Sequence, residues 1–92
     1  MNAIVINRLK RQVIRDLASA LADLPENSQV IFTVSKNIIS LSDFEKYTPG
    51  SNSHEMMTIR INVPGKEFDP IQFSNDAEIM LSMIKAKMEV AA

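Results

Sequence analysis

The sequence predicts an α+β fold, a two-layer sandwich in which two amphipathic helices pack on a small antiparallel sheet in the order α-β-(β)-β-α. Three observations predict this fold: an apolar stripe of helical period near the N-terminus, a strictly alternating segment in the second half, and a second helical pattern at the C-terminus. Because the chain has only 92 residues, we expect residues 1–92 to form a single small domain.

The first helix is predicted over residues 4–24. Apolar side chains recur there every three or four residues and fall within one arc of the helix, which is typical of a helix with one buried face. Pro25 follows directly, and its ring prevents the helix from continuing. The predicted core-facing residues are Ile6, Leu9, Val13, Ile14, Leu17, Ala20, Leu21 and Leu24.

The middle of the chain is predicted to be a strand followed by a segment with two interpretations. Residues 30–34 are rich in β-branched and aromatic side chains and predict a strand. Lys36-Asn37 can form a two-residue hairpin turn that brings residues 38–41 back as a second strand. Alternatively, Ser42 and Glu45 have capping-box spacing and can open a short helix within residues 38–47. Residues 48–53 are predicted to be a mobile polar loop.

A half-buried strand is predicted over residues 56–63, because apolar and polar side chains alternate there strictly. The alternation places four apolar side chains on the buried face, namely Met57, Ile59, Ile61 and Val63. Pro64-Gly65 predicts a turn, and residues 66–73 are expected to form an irregular connection. The apolar residues of this connection, Phe68, Ile71 and Phe73, are expected to hold it against the core.

The last helix is predicted to begin at Asn75, with Glu78 at the reciprocal capping position, and to extend to about Val90. Apolar side chains cover more than half of its circumference, so the helix is expected to contact more than one neighbour. The order of elements is similar to that of the double-stranded-RNA-binding domain. That family opens its last helix with clustered lysines, whereas residues 75–78 here are Asn-Asp-Ala-Glu, which would repel phosphate. We therefore transfer no functional residue from that family.

Composition excludes several kinds of chemistry. The chain has no cysteine, which excludes disulfides, thiolate metal ligands and a cysteine nucleophile. Its one histidine, His54, lies next to Glu55 without the spacing of a metal site or a catalytic triad. We therefore expect no enzyme activity, no metal and no cofactor. Neither a signal peptide nor an apolar run of transmembrane length is present, so we expect a cytoplasmic protein without membrane contact.

Charge is distributed unevenly along the chain. The first fifteen residues contain four bases and no acid, whereas the other residues contain six bases and eleven acids, and the net charge is −1. Arg8, Arg11 and Arg15 share one face of the predicted first helix, opposite its apolar arc, and we call these three residues the arginine ridge. Lys10 lies beside the apolar arc and completes the predicted partner- or phosphate-binding set. The alternative is a solvated face that pairs with acids of the same chain, such as Asp16.

Two further surfaces are candidate interfaces. The ridge is continued by small side chains that permit close approach of a partner, Ala18, Ser19 and Ala22. The last helix carries three flexible thioethers, Met80, Met83 and Met88, that suit an adaptable or self-associating surface. The alternatives are that the alanines only favour the helix and that the methionines only fill the core.

These observations favour a non-catalytic binding protein, a small accessory protein or phage-type inhibitor such as a host-defence or anti-CRISPR antagonist. It would dock on a larger protein or ribonucleoprotein whose surface is acidic or bears phosphate, because guanidinium groups pair with such anions. One alternative is a dimeric regulator that binds nucleic acid directly, and another is a self-assembling structural protein that associates through the last helix.

Overall fold

The computed structural model describes residues 3–26, 28–43 and 54–91, with the backbone alone for residues 54–56, 90 and 91. Five elements follow one another: α1 (Ala3–Ala22), β1 (Val30–Val34), β2 (Ile38–Asp43), β3 (His54–Arg60) and α2 (Pro70–Ala91). This is the predicted α+β order, and it includes the second strand that the sequence left open. The predicted loop over residues 48–53 lies outside the described residues.

The three strands form one antiparallel sheet in the order β1-β2-β3, with β2 in the centre. Val34 pairs with Ile39, so Ser35 and Ile38 close the β1–β2 hairpin around Lys36 and Asn37, as predicted. Strand β2 continues to Asp43, which lies opposite Val30. Residues 38–43 are therefore a strand rather than the start of a helix, and the rest of the alternative helix lies outside the described residues.

Strand β3 ends at Arg60, three residues before the predicted end at residue 63, and the last buried residue of the alternation is Ile61. Ile59 and Ile61 are buried, but Asn62 has a left-handed backbone with φ of 58°. Its amide Nδ2 donates to Asn37 Oδ1 at 3.1 Å, which holds this bend against the hairpin turn. The prediction that Val63 shares the buried face is wrong, because the bend leaves it 38% exposed. Asparagine tolerates this backbone conformation better than most residues do.

Helix α2 begins at Pro70, five residues earlier than predicted, so residues 70–73 belong to it rather than to a connection. Asp69 caps the helix: its Oδ1 accepts hydrogen bonds from the backbone N–H groups of Ile71 at 3.0 Å and Gln72 at 3.2 Å. Proline is favoured at the first helical position because its φ already suits a helix and it lacks the N–H that would remain unpaired there. The Asp-Pro pair is therefore a stronger start signal than Asn75.

The core lies between the sheet and the two helices. Helix α1 packs against α2, and α2 packs against β3. Every element except β1 contributes at least one buried apolar side chain to this core. The buried residues are Leu17, Ile39, Leu41, Ile59, Ile61, Phe73, Met80 and Ile84. At the far end of α2, Lys87 forms an ion pair of 2.8 Å with Asp43 at the end of β2. The sheet and α2 are therefore joined by a polar contact as well as by the core.

Candidate functional site

The arginine ridge forms the outer face of α1. Arg8, Arg11 and Arg15 are all exposed, and together with Ile4 and Gln12 they line a shallow depression along the helix. Arg8 and Arg15 are two helical turns apart, which corresponds to a rise of about 10 Å along the axis. The opposite face of α1 carries the buried Leu17, so the amphipathic pattern that buries one side of the helix also turns the guanidinium groups outward.

The ridge has no acidic partner among the described residues. None of its three guanidinium groups makes a hydrogen bond or an ion pair with another described residue. The ion pair found among the described residues joins Lys87 of α2 to Asp43 of β2. Asp16, the acid closest in sequence, accepts a hydrogen bond of 3.0 Å from Gln12 Nε2 instead. Within the described part of the chain, the three positive charges of this helix face are therefore not neutralised by an acid.

Lys10 does not belong to this free surface, although the sequence grouped it with the ridge. Its Nζ donates to the backbone carbonyl of Ser35 at 2.9 Å and to that of Lys36 at 2.7 Å. Lys10 is half-buried, and its side chain reaches from α1 to the hairpin turn. Because its charge-assisted donors already have acceptors within the fold, Lys10 is placed to hold the hairpin turn.

The small residues that follow the ridge are exposed. Ala18, Ser19 and Ala22 continue the outer face of α1 toward its C-terminus without a large side chain. A second surface can approach the helix backbone closely at these positions. The prediction that the arginine ridge and the small residues after it share an exposed face of α1 is therefore confirmed.

The three methionines of α2 occupy different positions. Met80 has no exposed surface and belongs to the core, so it contributes nothing to an outer surface of this fold. Met83 and Met88 are half-buried. The most exposed large apolar side chains of α2 are instead Ile71, 72% exposed, and Ile79, 49% exposed. The expectation that Ile71 holds the predicted connection against the core is wrong, because Ile71 lies in the first turn of α2 with its side chain exposed. Ile79 belonged to the wide apolar arc, but that arc does not indicate which part of the helix faces the sheet.

The described part of the chain contains neither a metal-binding cluster nor a membrane-spanning helix. Within residues 3–26, 28–43 and 54–91, no three acidic or histidine side chains come together as a group that could hold a metal ion. The backbone of His54 opens β3, and its side chain lies outside the described atoms. None of the described helices is both long enough and apolar enough to cross a membrane.

The arginine ridge is therefore the candidate site with the clearest chemistry. Its groups can bind carboxylates or phosphates through two parallel hydrogen bonds, and they can do so without first breaking a contact within the described fold. Comparisons with protein-family models, with curated proteins and with solved structures find no match for this chain.

Proposed function

We propose that this protein is a non-catalytic binding protein that docks, through the arginine ridge, on an acidic or phosphate-bearing surface of a larger protein or ribonucleoprotein. One observation carries the proposal: Arg8, Arg11 and Arg15 are exposed along one helix face and have no acidic partner among the described residues. A protein of this kind acts by occupying its partner's surface, as an accessory protein or an inhibitor does.

The chemistry of arginine supports a defined anionic target. Each guanidinium offers several donors in a planar arrangement that matches a carboxylate or a phosphate. The three groups extend over about 10 Å, a length that corresponds to two helical turns. Beyond Arg15, the small side chains of Ala18 and Ala22 leave room for the partner's backbone. The face thus combines charged contacts at one end with close approach at the other.

The distribution of charge favours a limited contact over a long one. Outside the first fifteen residues the chain carries more acids than bases, so a long polyanion would be repelled by most of the molecule. An acidic patch on a protein, or a short run of phosphates in a ribonucleoprotein, matches the ridge without meeting that repulsion. A regulator that binds nucleic acid directly is the second candidate, because the same three arginines can contact phosphate.

The test compares two triple variants with the same change in charge. R8Q/R11Q/R15Q removes the ridge and retains good helix formers, whereas K36Q/R60Q/K66Q neutralises three bases that are exposed elsewhere. Both proteins, with the wild type, are used to capture partners from the native host, and the captured protein and RNA are identified. We expect the ridge variant to lose affinity for the partner by about tenfold or more, a loss of at least 1.4 kcal/mol, and the control to retain it. Equal capture by all three proteins would show that the ridge is only a solvated face.

Salt dependence then separates the two candidates. Direct binding to nucleic acid should weaken with salt with a log–log slope of about −2 to −3, and the ridge variant should lose that slope. Docking on a protein should give a shallower slope. It should also be blocked by A18E or A22E, because a glutamate there prevents close approach.

A further inference from the structure

The outer face of α2 carries a shallow groove that shares no residue with the arginine ridge. It is lined by Asn75, Glu78, Ile79, Ser82, Met83 and Ala86. Ile79 is half exposed although it is a large apolar side chain, and Ser82 and Ala86 are exposed and small. An exposed apolar strip on a helix whose other side is already buried in the core is typical of a second packing surface.

The groove is complementary to itself. Glu78 and Ile79 lie four and three residues before Ser82, whereas Lys85 and Ala86 lie three and four residues after it. Because successive helical residues are turned by about 100°, Glu78 and Lys85 lie on one side of a line through Ser82, and Ile79 and Ala86 lie on the other side. If a second α2 lies antiparallel on the first, with a two-fold axis at the level of Ser82, residues on the same side of this line face each other at nearly equal distances from the axis. Glu78 then meets Lys85 of the second copy, and Ile79 meets Ala86, to within one residue, which is about 1.5 Å along the axis.

The matched pairs combine opposite properties. An acid faces a base, and a large apolar side chain faces a small one. Among the described residues neither Glu78 nor Lys85 forms an ion pair, so both charges are available to a second copy. At the centre, the Ser82 hydroxyl donates to the backbone carbonyl of Glu78 at 2.9 Å. The hydroxyl donor is therefore satisfied within its own helix, and it stays paired when a second copy covers it.

We infer that a second copy of this chain docks antiparallel on α2, with Ile79, Ser82 and Ala86 in the contact and Glu78 paired with Lys85 across it. This contact makes the protein a two-fold dimer and gives each assembly two arginine ridges. The contact is confined to one helix face, so we expect a weak dimer whose dissociation is measurable at micromolar concentrations. The inference does not depend on the proposed function, since it concerns different residues and a different partner.

The experiment uses charge exchange in the full chain. Sedimentation equilibrium from about 10 to 300 μM measures the dimerisation constant of the wild type, whose monomer has a mass of 10.3 kDa. E78K and K85E each place like charges opposite one another twice per dimer, and we expect each to weaken association about tenfold. The double variant E78K/K85E restores opposite charges in exchanged positions and should return to nearly wild-type association. Circular dichroism confirms that each variant is folded.

A matched control is E89K, which makes the same charge change on the same helix. Residue 89 would face the uncharged Asn75, so this variant should associate as the wild type does. A wild type that stays at monomer mass throughout the concentration range overturns the inference. A double variant as weak as the single ones, or single variants as strong as the wild type, overturns the pairing of Glu78 with Lys85.

Discussion

At the scale of single residues, Lys10 and Arg11 are neighbours in α1 with the same charge and different surroundings. The Lys10 ammonium reaches two carbonyls of the hairpin turn, whereas the Arg11 guanidinium has no partner among the described residues. Helical geometry causes the difference, because successive residues are turned by about 100° around the axis. One basic residue therefore contributes to the fold, and its neighbour is available for binding.

This contrast gives a stability prediction. Lys10→Met retains most of the aliphatic length but removes the donors to Ser35 and Lys36, and we expect a loss of about 0.5–1.5 kcal/mol in the free energy of unfolding. Arg11→Met is the control and should change it by less than about 0.5 kcal/mol, since the exposed Arg11 makes no hydrogen bond or ion pair among the described residues. Urea unfolding measures both values. Equal effects would show that the two carbonyl contacts contribute nothing measurable.

At the scale of elements, the start of α2 shows how two cap sequences compete. Asp69 and Asn75 are both residue types that cap helices, and Asn75 also has Glu78 at the reciprocal position. Asp69 caps the helix because Pro70 fits its first position and because the extra turn brings Phe73 into the core. Phe73 also lies 5.4 Å from Phe68, measured between ring centroids, so burial favours the earlier start.

The two positions should therefore respond differently to alanine. Asp69→Ala removes the acceptor of two backbone N–H groups, and we expect it to cost about 1 kcal/mol of stability. Asn75→Ala replaces an exposed residue inside the helix by a better helix former, so it should be neutral or stabilising by up to about 0.5 kcal/mol. Thermal unfolding of the two variants provides the comparison. A larger loss at Asn75 than at Asp69 would return the helix start to Asn75.

At the scale of the whole molecule, the two layers meet in one small core. Leu17 of α1 is 1% exposed and Ile61, just after β3, is 3% exposed, and both belong to the same apolar cluster. We expect Leu17→Ala and Ile61→Ala each to lower the free energy of unfolding by about 2–4 kcal/mol, because each leaves a cavity. Ile71→Ala is the control, since Ile71 is exposed, and should cost less than about 0.5 kcal/mol. Denaturant unfolding tests the three variants, and losses below about 0.5 kcal/mol at both core sites would contradict this packing.

The sequence by itself determined the features that depend on neighbours along the chain. The apolar period of residues 4–24 predicted α1 to within two residues at its C-terminal end, and the same period placed the arginine ridge on the solvent side. Alternation predicted the buried Ile59 and Ile61 of β3 and its continuation. Periodicity is set by the geometry of one helix or one strand, so it can be recognised without knowing the rest of the fold.

Only the tertiary structure decided features that depend on residues distant in sequence. Lys10 contacts carbonyls 25 and 26 residues away, and Asn62 bends where Asn37 can accept its hydrogen bond. The apolar arc of α2 was wide enough to face the sheet in several rotations, and packing against β3 and α1 buried Met80 while leaving Ile79 exposed. The packing of the whole core decides which apolar residues of such a helix stay exposed. Local spacing cannot decide it, because buried and exposed apolar residues have the same spacing along the helix.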